Sequence, residues 1–176
     1  TLGMARRYPD KNFLGIDIKG ARMWKGAKEA HENNITNAGF LRTRIELIES
    51  FFSSNEIDEI WITFPDPQIK KRRNKKRLTG ARFLNSYQRF LSPDGFIHLK
   101  TDSVELYNYT NALLTHNHII PEISTPDLYS GNSDNELLSI RTHYEQLFLD
   151  AGKKITYTKF KLNRPEITLE LPDQDE

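Results

Sequence analysis

At 176 residues the chain is long enough to bury a core unaided, and its lack of cysteine excludes disulfide frameworks, thiolate zinc sites and cysteine nucleophiles. Apolar residues make up 37% and charged residues 28%, a globular composition, and no apolar run approaches the roughly 20 residues needed to span a bilayer. The net charge of +1 conceals a segregation: Lys70 to Arg77 hold seven of the 25 basic residues, and removing them leaves 18 basic against 24 acidic, a remainder of −6. One basic segment on an acidic body points to a polyanionic partner met at one place, nucleic acid first.

In chain order, Leu2 to Tyr8 reads as the end of a helix stopped before Pro9. Short apolar runs predict buried strands at Asn12 to Ile18, Gly39 to Ile45, Glu59 to Phe64, Gly95 to Lys100, His118 to Ser124 and Ile155 to Leu162. Helical spacing lies between them, at Ala21 to Asn33, Thr79 to Leu91, Ser103 to His116 and Asn135 to Ala151. Ser92-Pro93-Asp94-Gly95 is expected to end the second of these as a turn, and Gly152 to stop the last, which would place Leu137, Ile140, Tyr144, Leu147, Phe148 and Ala151 inward. Alternating strands and helices predict an α/β chain: a mostly parallel sheet with helices on both faces, in one domain over residues 1–176.

Ligands of such sheets bind beyond the carboxyl ends of the strands, where Asp17, Asp66 and Asp102 stand. An acid at the position of Asp17, in Gly15-Ile16-Asp17-Ile18, accepts from ribose hydroxyls in nucleotide-binding sheets, although the same residue type also caps helices and solvated turns. The matching glycine-rich loop belongs about 20 residues earlier, so the chain, which starts at Thr1, is expected to be part of a longer protein. The most specific feature is Phe64-Pro65-Asp66-Pro67-Gln68-Ile69 followed by the basic run. Flanking prolines stiffen the turn around Asp66, and the cations behind it would neutralise phosphates and bring RNA to that carboxylate. A solvated loop or a localisation signal is the plainer reading of a basic run by itself. Thr142 and Glu145, three apart on a helix, read by themselves as an ordinary polar surface pair. His116 and His118 are too isolated for a metal site, and no metal is expected.

Taken together, Gly15-Ile16-Asp17, Phe64-Pro65-Asp66-Pro67 with its Lys/Arg run and Leu78, His98-Leu99-Lys100-Thr101-Asp102, and Thr142-His143-Tyr144-Glu145 with Phe148 and Gly152 resemble the bacterial tRNA (guanine-N7-)-methyltransferases over nearly the whole chain. The resemblance implies the Rossmann-like sheet of class I methyltransferases, ending in an antiparallel strand pair that involves Ile155 to Leu162. It implies S-adenosyl-L-methionine as cofactor, bound through Asp17, Arg44, Ile45 and Asp66, with Asp66 in the catalytic role. Lys70, Asp102, Thr142, His143, Tyr144 and Glu145 would contact the target nucleotide, and Arg72, Arg73, Asn74, Lys75, Lys76 and Arg77 the tRNA backbone. The implied reaction methylates N7 of a variable-loop guanosine, position 46, in the cytoplasm, by a monomer or homodimer without membrane attachment. Two departures stand out: Gln68-Ile69 replaces the usual Trp-Pro, and Arg44 stands near the adenine where an acidic residue is common. Two competing readings are a catalytically idle RNA-binding module of the same fold, which has no use for the rim carboxylates, and a Rossmann NAD-dependent oxidoreductase, which has no use for the basic run.

Overall fold

The structure, a computed structural model, describes residues 1–130, 140–162 and 167–172, apart from the Lys71 and His143 side chains. Its elements are α1 (Leu2–Arg7), β1 (Phe13–Asp17), α2 (Gly20–Glu32), β2 (Ala38–Arg42), β3 (Ile57–Thr63), α3 (Ala81–Tyr87), β4 (Leu91–Thr101), α4 (Val104–His116), β5 (Ile123–Thr125), α5 (His143–Asp150) and β6 (Thr156–Lys161), with 3₁₀ segments at Ile45–Phe51 and Lys71–Lys76. They form two compact units, Thr1–Phe51 with Ile140, and the other described residues from Phe52 onward.

In the first unit β1 and β2 pair in parallel from Phe13↔Ala38 to Asp17↔Arg42. α2 packs on both strands, and Gly26 lets it approach: a Cβ there would lie 2.6 Å from the Phe40 ring. Asn37 Nδ2 donates to the carbonyls of Ala5, Tyr8 and Lys11 at 2.8 to 3.0 Å, tying α1 and the turn after it to the start of β2. The expectation of a fully buried first strand needs correction. Alternate residues face solvent, with Leu14 44% and Ile16 37% exposed, because only one side of β1 is covered within this unit.

In the second unit the strand order is β3-β4-β6-β5, with β3 and β4 parallel and β6 antiparallel to both β4 and β5. The expected α/β arrangement, parallel pairing with an antiparallel C-terminal pair, is therefore observed. β4 lies inside the sheet, and every residue from Ile97 to Thr101 is buried, the polar His98, Lys100 and Thr101 included. α4 packs on β4 and β6 and buries Leu106, Leu113 and Leu114, each side chain stabilising by about 1.5–3 kcal/mol. α3 buries Phe83, Leu84 and Tyr87, and the Tyr87 and Phe52 rings meet Phe90 at 6.1 and 5.1 Å.

Three boundaries differ from expectation. Ser92 to Gly95 does not close α3 as a free turn but lies inside β4, as an irregularity where Ile57 and Glu59 of β3 face Leu91 and Phe96. His118 adopts φ 57° and Ile119 donates to the Leu114 carbonyl, so the end of α4 consumes residues expected to begin β5. α5 starts at His143, capped by Thr142, and Leu147 and Tyr144 are 48% and 40% exposed rather than inward. The earlier part of that predicted helix, 135–139, lies outside the described residues. Among the described residues no helix is long and apolar enough to cross a membrane.

Candidate active site

In the first unit Asp17 ends β1. Its Oδ1 accepts from the Lys19 amide at 3.0 Å, Arg22 lies 4.0 Å from Oδ2, and a third of the side chain remains exposed. The carboxylate is thus oriented by the chain yet open to further donors. Arg44 follows β2, is 67% exposed and reaches Glu46 at 3.7 Å, and Ile45 begins the 3₁₀ segment beside it.

In the second unit the parallel register Thr63↔Lys100 brings the chain out of β3 and β4 at the same edge. The Phe64 amide donates to the Lys100 carbonyl at 2.8 Å, and the backbone then turns sharply, with Phe64 and Gln68 both at φ 50°. Left-handed backbone at two non-glycine residues stores strain of about 1–3 kcal/mol each and is typical of sites whose geometry the surroundings impose. Between them Asp66 points into solvent, its Oδ1 accepting from the Gln68 amide at 3.0 Å. A hollow of about 180 Å³ opens here, lined by Asp66, Pro67, Gln68, Ile69, Lys70 and Arg73. Gln68 fills the turn position that the family resemblance assigned to Trp, and does so with a left-handed backbone.

The basic run continues as a 3₁₀ turn over Lys71–Lys76, which sorts its residues. Arg72, Arg73, Lys75 and Lys76 face solvent, whereas Asn74 and Arg77 are half-buried. The Arg77 guanidinium lies 4.1 Å from the Tyr109 ring centroid, and the Tyr109 hydroxyl donates to Glu170 at 2.6 Å. Burial and the Glu170 carboxylate push that hydroxyl's pKa up. Arg77 therefore fastens the turn to α4 instead of pointing at a backbone outside, a correction to the reading of the run as uniformly outward.

Asp102 leaves β4 two residues after Lys100 and is held by Lys153 Nζ at 2.6 Å, with a fifth of its side chain exposed. The same ammonium sits 4.6 Å from the Phe148 ring centroid, and Phe148 meets Phe64 at 5.5 Å and Tyr144 at 6.4 Å. The Asp66 turn, Asp102 and the exposed side of α5 thus share one rim. Thr142 and Glu145 behave otherwise than a polar surface pair. They form a capping box: Thr142 Oγ1 accepts from the Glu145 amide and Glu145 Oε2 from the Thr142 amide, both at 3.1 Å. Glu145 is fully buried, and its Oε1 takes the Lys100 ammonium at 2.6 Å and the Tyr129 hydroxyl at 2.5 Å. Glu145 is accordingly not a free acceptor for a nucleobase. Of the segment Thr142 to Glu145, Tyr144 alone among the described side chains is exposed; the His143 side chain lies outside the described residues.

Sequence reasoning gave no role to Lys100, Tyr129 or Lys153. Only Lys100 carried a signal: a lysine in a strand otherwise built of buried residues requires an anionic partner inside.

A family model described as a putative methyltransferase matches residues 1–158. A tRNA (guanine-N(7)-)-methyltransferase of Porphyromonas gingivalis is 53% identical over 174 residues, covering 98% of this chain and 70% of that protein. Proteins of the same description from Christiangramia forsetii and Clostridioides difficile are 51% and 35% identical, covering 92% and 86% of this chain and 73% and 70% of theirs. Among solved structures, a 16S rRNA (adenine(1408)-N(1))-methyltransferase from Catenulisporales acidiphilia superimposes with a TM-score of 0.58 at 12% identity, over 93% of this chain and 79% of that one. A SAM dependent methyltransferase from Aquifex aeolicus gives 0.54 at 10%, over 85% and 68%. At such low identities the structures speak for the fold alone, whereas the relatives at up to 53% identity go further: the chain belongs to the tRNA (guanine-N7-)-methyltransferase family.

Proposed function

We propose that this chain, acting as one methyltransferase domain, transfers the methyl group of S-adenosyl-L-methionine to N7 of a variable-loop guanosine, position 46, in tRNA. The observation that carries the reading is the rim of the second unit, where a strained turn presents Asp66 beside Lys70 and Arg73, followed directly by an outward fan of cations. A phosphate-binding surface that leads to a fixed carboxylate suits a polyanionic substrate whose reacting atom becomes cationic. The NAD-dependent oxidoreductase reading leaves these cations without a task.

The donor set fits the cofactor. Asp17 has carboxylate lone pairs left for ribose hydroxyls, and the exposed Arg44 with Ile45 offers a planar cation and an apolar edge for an adenine. Bound there, S-adenosylmethionine supplies an electrophilic sulfonium methyl. Guanine N7 is a lone-pair acceptor with no proton to lose, so the new N–C bond forms as the C–S bond breaks without any general base. Asp66 does not abstract a proton. It faces the purine as positive charge develops on the ring, and its anchorage to the Gln68 amide keeps it from reorienting. Asp102, oriented by Lys153, accepts from the guanine N1 and N2 hydrogens and so selects against adenine. Lys70 meets the nucleotide's phosphate, and Tyr144 with Phe148 provides an aromatic surface for a base taken out of its stack. The cytoplasm, where tRNA is found, is the place of action, and monomer and homodimer both suit the site.

The test uses full-length protein, unmodified tRNA and radiolabelled S-adenosylmethionine, followed by nucleoside analysis. Label is expected as 7-methylguanosine in the variable loop, and Asp66→Ala is expected to abolish transfer while tRNA affinity stays within about twofold, since Asp66 makes no phosphate contact. Tight tRNA binding without transfer by the unaltered protein would favour the idle binding module. Equal loss of binding and transfer in Asp66→Ala would refute the role given to that carboxylate.

A further inference from the structure

Lys100 contacts two sides of the rim and lies next to the third along the chain. Its carbonyl accepts from the Phe64 amide at 2.8 Å, which starts the turn carrying Asp66. Its ammonium meets Glu145 of α5 at 2.6 Å, and α5 carries Tyr144 and Phe148. Two residues along the chain stands Asp102, which Lys153 clamps from beyond the end of α5. Glu145 in turn is fixed by the Tyr129 hydroxyl and by the Thr142 amide, so its carboxylate is held from three directions. Both members of the ion pair are sealed from solvent, at 2% and 0% exposure.

A pair this deeply buried is poorly explained by stability. Desolvating two charges costs about as much as their attraction returns, and apolar side chains of similar volume often hold a fold equally well or better. What the pair provides, and packing does not, is direction: a short charge-assisted contact sets the distance and rotation of α5 against the end of β4.

We propose that Lys100 is a positioning residue for methyl transfer, latched through Glu145 and Tyr129 so that the α5 wall and the Asp66 turn keep a fixed spacing; the inference rests on the reading of that rim as the site of transfer. The latch is distinct from the contacts themselves, since neither Lys100 nor Glu145 reaches the surface. Its effect therefore falls on turnover and not on tRNA capture, which belongs to the exposed cations and to Lys70.

Two variants separate positioning from support. Lys100→Met combined with Glu145→Gln removes both charges yet keeps a side-chain oxygen for the Thr142 amide. Tyr129→Phe removes a single hydroxyl and leaves every charge in place. Leu113→Ala, which opens a cavity in the α4 core, serves as a control for plain destabilisation. With full-length protein and unmodified tRNA, the double variant is expected to lose about tenfold or more in kcat and Tyr129→Phe about two- to fivefold, with KM for tRNA within about twofold, because small displacements of reacting groups cost turnover steeply. Melting temperatures of both should lie nearer the wild type than that of Leu113→Ala, whose kcat at 25 °C is expected to be retained. Wild-type kcat in both latch variants would overturn the inference, as would a loss of kcat no larger than the loss of folded protein. A wild-type enzyme that makes no 7-methylguanosine would overturn this inference and the functional reading together, whereas an active wild type with unaffected variants overturns the latch alone.

Discussion

Replacing Arg72, Arg73, Lys75 and Lys76 together by alanine removes the four cations that face solvent among the described side chains of the basic turn, while leaving in place Arg77, which fastens it to α4. Each cation that neutralises a phosphate releases a counterion, and contributes about 0.7 to 0.9 to the slope of log affinity against log salt. If all four meet phosphates, their joint share of the slope is about 3, so between 50 and 200 mM salt they account for a loss of roughly 50- to 150-fold in affinity. The assay is filter binding or anisotropy with labelled tRNA across that salt range. The quadruple variant should bind more weakly at 50 mM, with a slope shallower by about 3, and the two curves should converge toward high salt. Arg77→Ala is the internal contrast: it should destabilise the turn without changing the slope by the full increment of a phosphate contact. A parallel, merely displaced line for the quadruple variant would refute the assignment, for it would mean that the turn supports the fold and not the RNA. A slope unit lost on Arg77→Ala would refute the inward reading of that residue.

Glu145→Ala leaves the Lys100 ammonium buried without its carboxylate and should cost about 3–5 kcal/mol, read as a lowered urea midpoint. Ser103 caps α4 by accepting from the Leu106 amide at 3.2 Å, so Ser103→Ala should lose about 1 kcal/mol in the same assay. His98 stacks on Trp61 at 3.9 Å and contacts the Tyr157 hydroxyl at 2.9 Å and Glu59 at 3.5 Å; burial lowers its pKa, with Glu59 and Glu122 opposing and Lys159 adding to the shift. Because the folded protein binds this proton less readily than the unfolded chain, His98 does not penalise folding above a pH of about 6.5, and stability is lost as the pH falls through the folded value. Urea midpoints measured between pH 7.5 and 5 should fall, and His98→Gln should flatten that slope; an unchanged slope would exclude His98 as its origin.

How far the sequence could be read follows from the range of the forces involved. The Asp66 turn is a local matter, since two prolines and the end of an apolar strand define it within a few residues, and the structure places it at a strand end with the carboxylate exposed. The alternation of elements and the parallel pairing likewise came from periodicity, and the antiparallel close from the family resemblance. Element ends were less legible. The Ser92 to Gly95 segment has the composition of a turn, yet it lies inside β4 as an irregularity, because Leu91 and Phe96 on either side of it pair with β3. α5 was expected to begin earlier because its apolar spacing continues upstream, whereas the Thr142 and Glu145 capping box sets its start at His143.

The directions of polar side chains depended on tertiary contacts. Arg77 looks like every other cation in its run until α4 supplies Tyr109, and Lys153 finds Asp102 across 51 residues of chain. Glu145 reads as a surface acid on a helix, and only the docking of α5 over β4 turns it inward to meet Lys100 and Tyr129. The residue order determined by itself the α/β class, the stiff turn with its carboxylate, the concentration of positive charge and the family, because propensity, periodicity and motif spacing are properties of neighbouring residues. Which cations face a partner, which carboxylate is sealed inside and which lysine joins the walls of the rim was decided by the tertiary structure, because burial of a charge is set by the segments that close over it, and those lie far away along the chain.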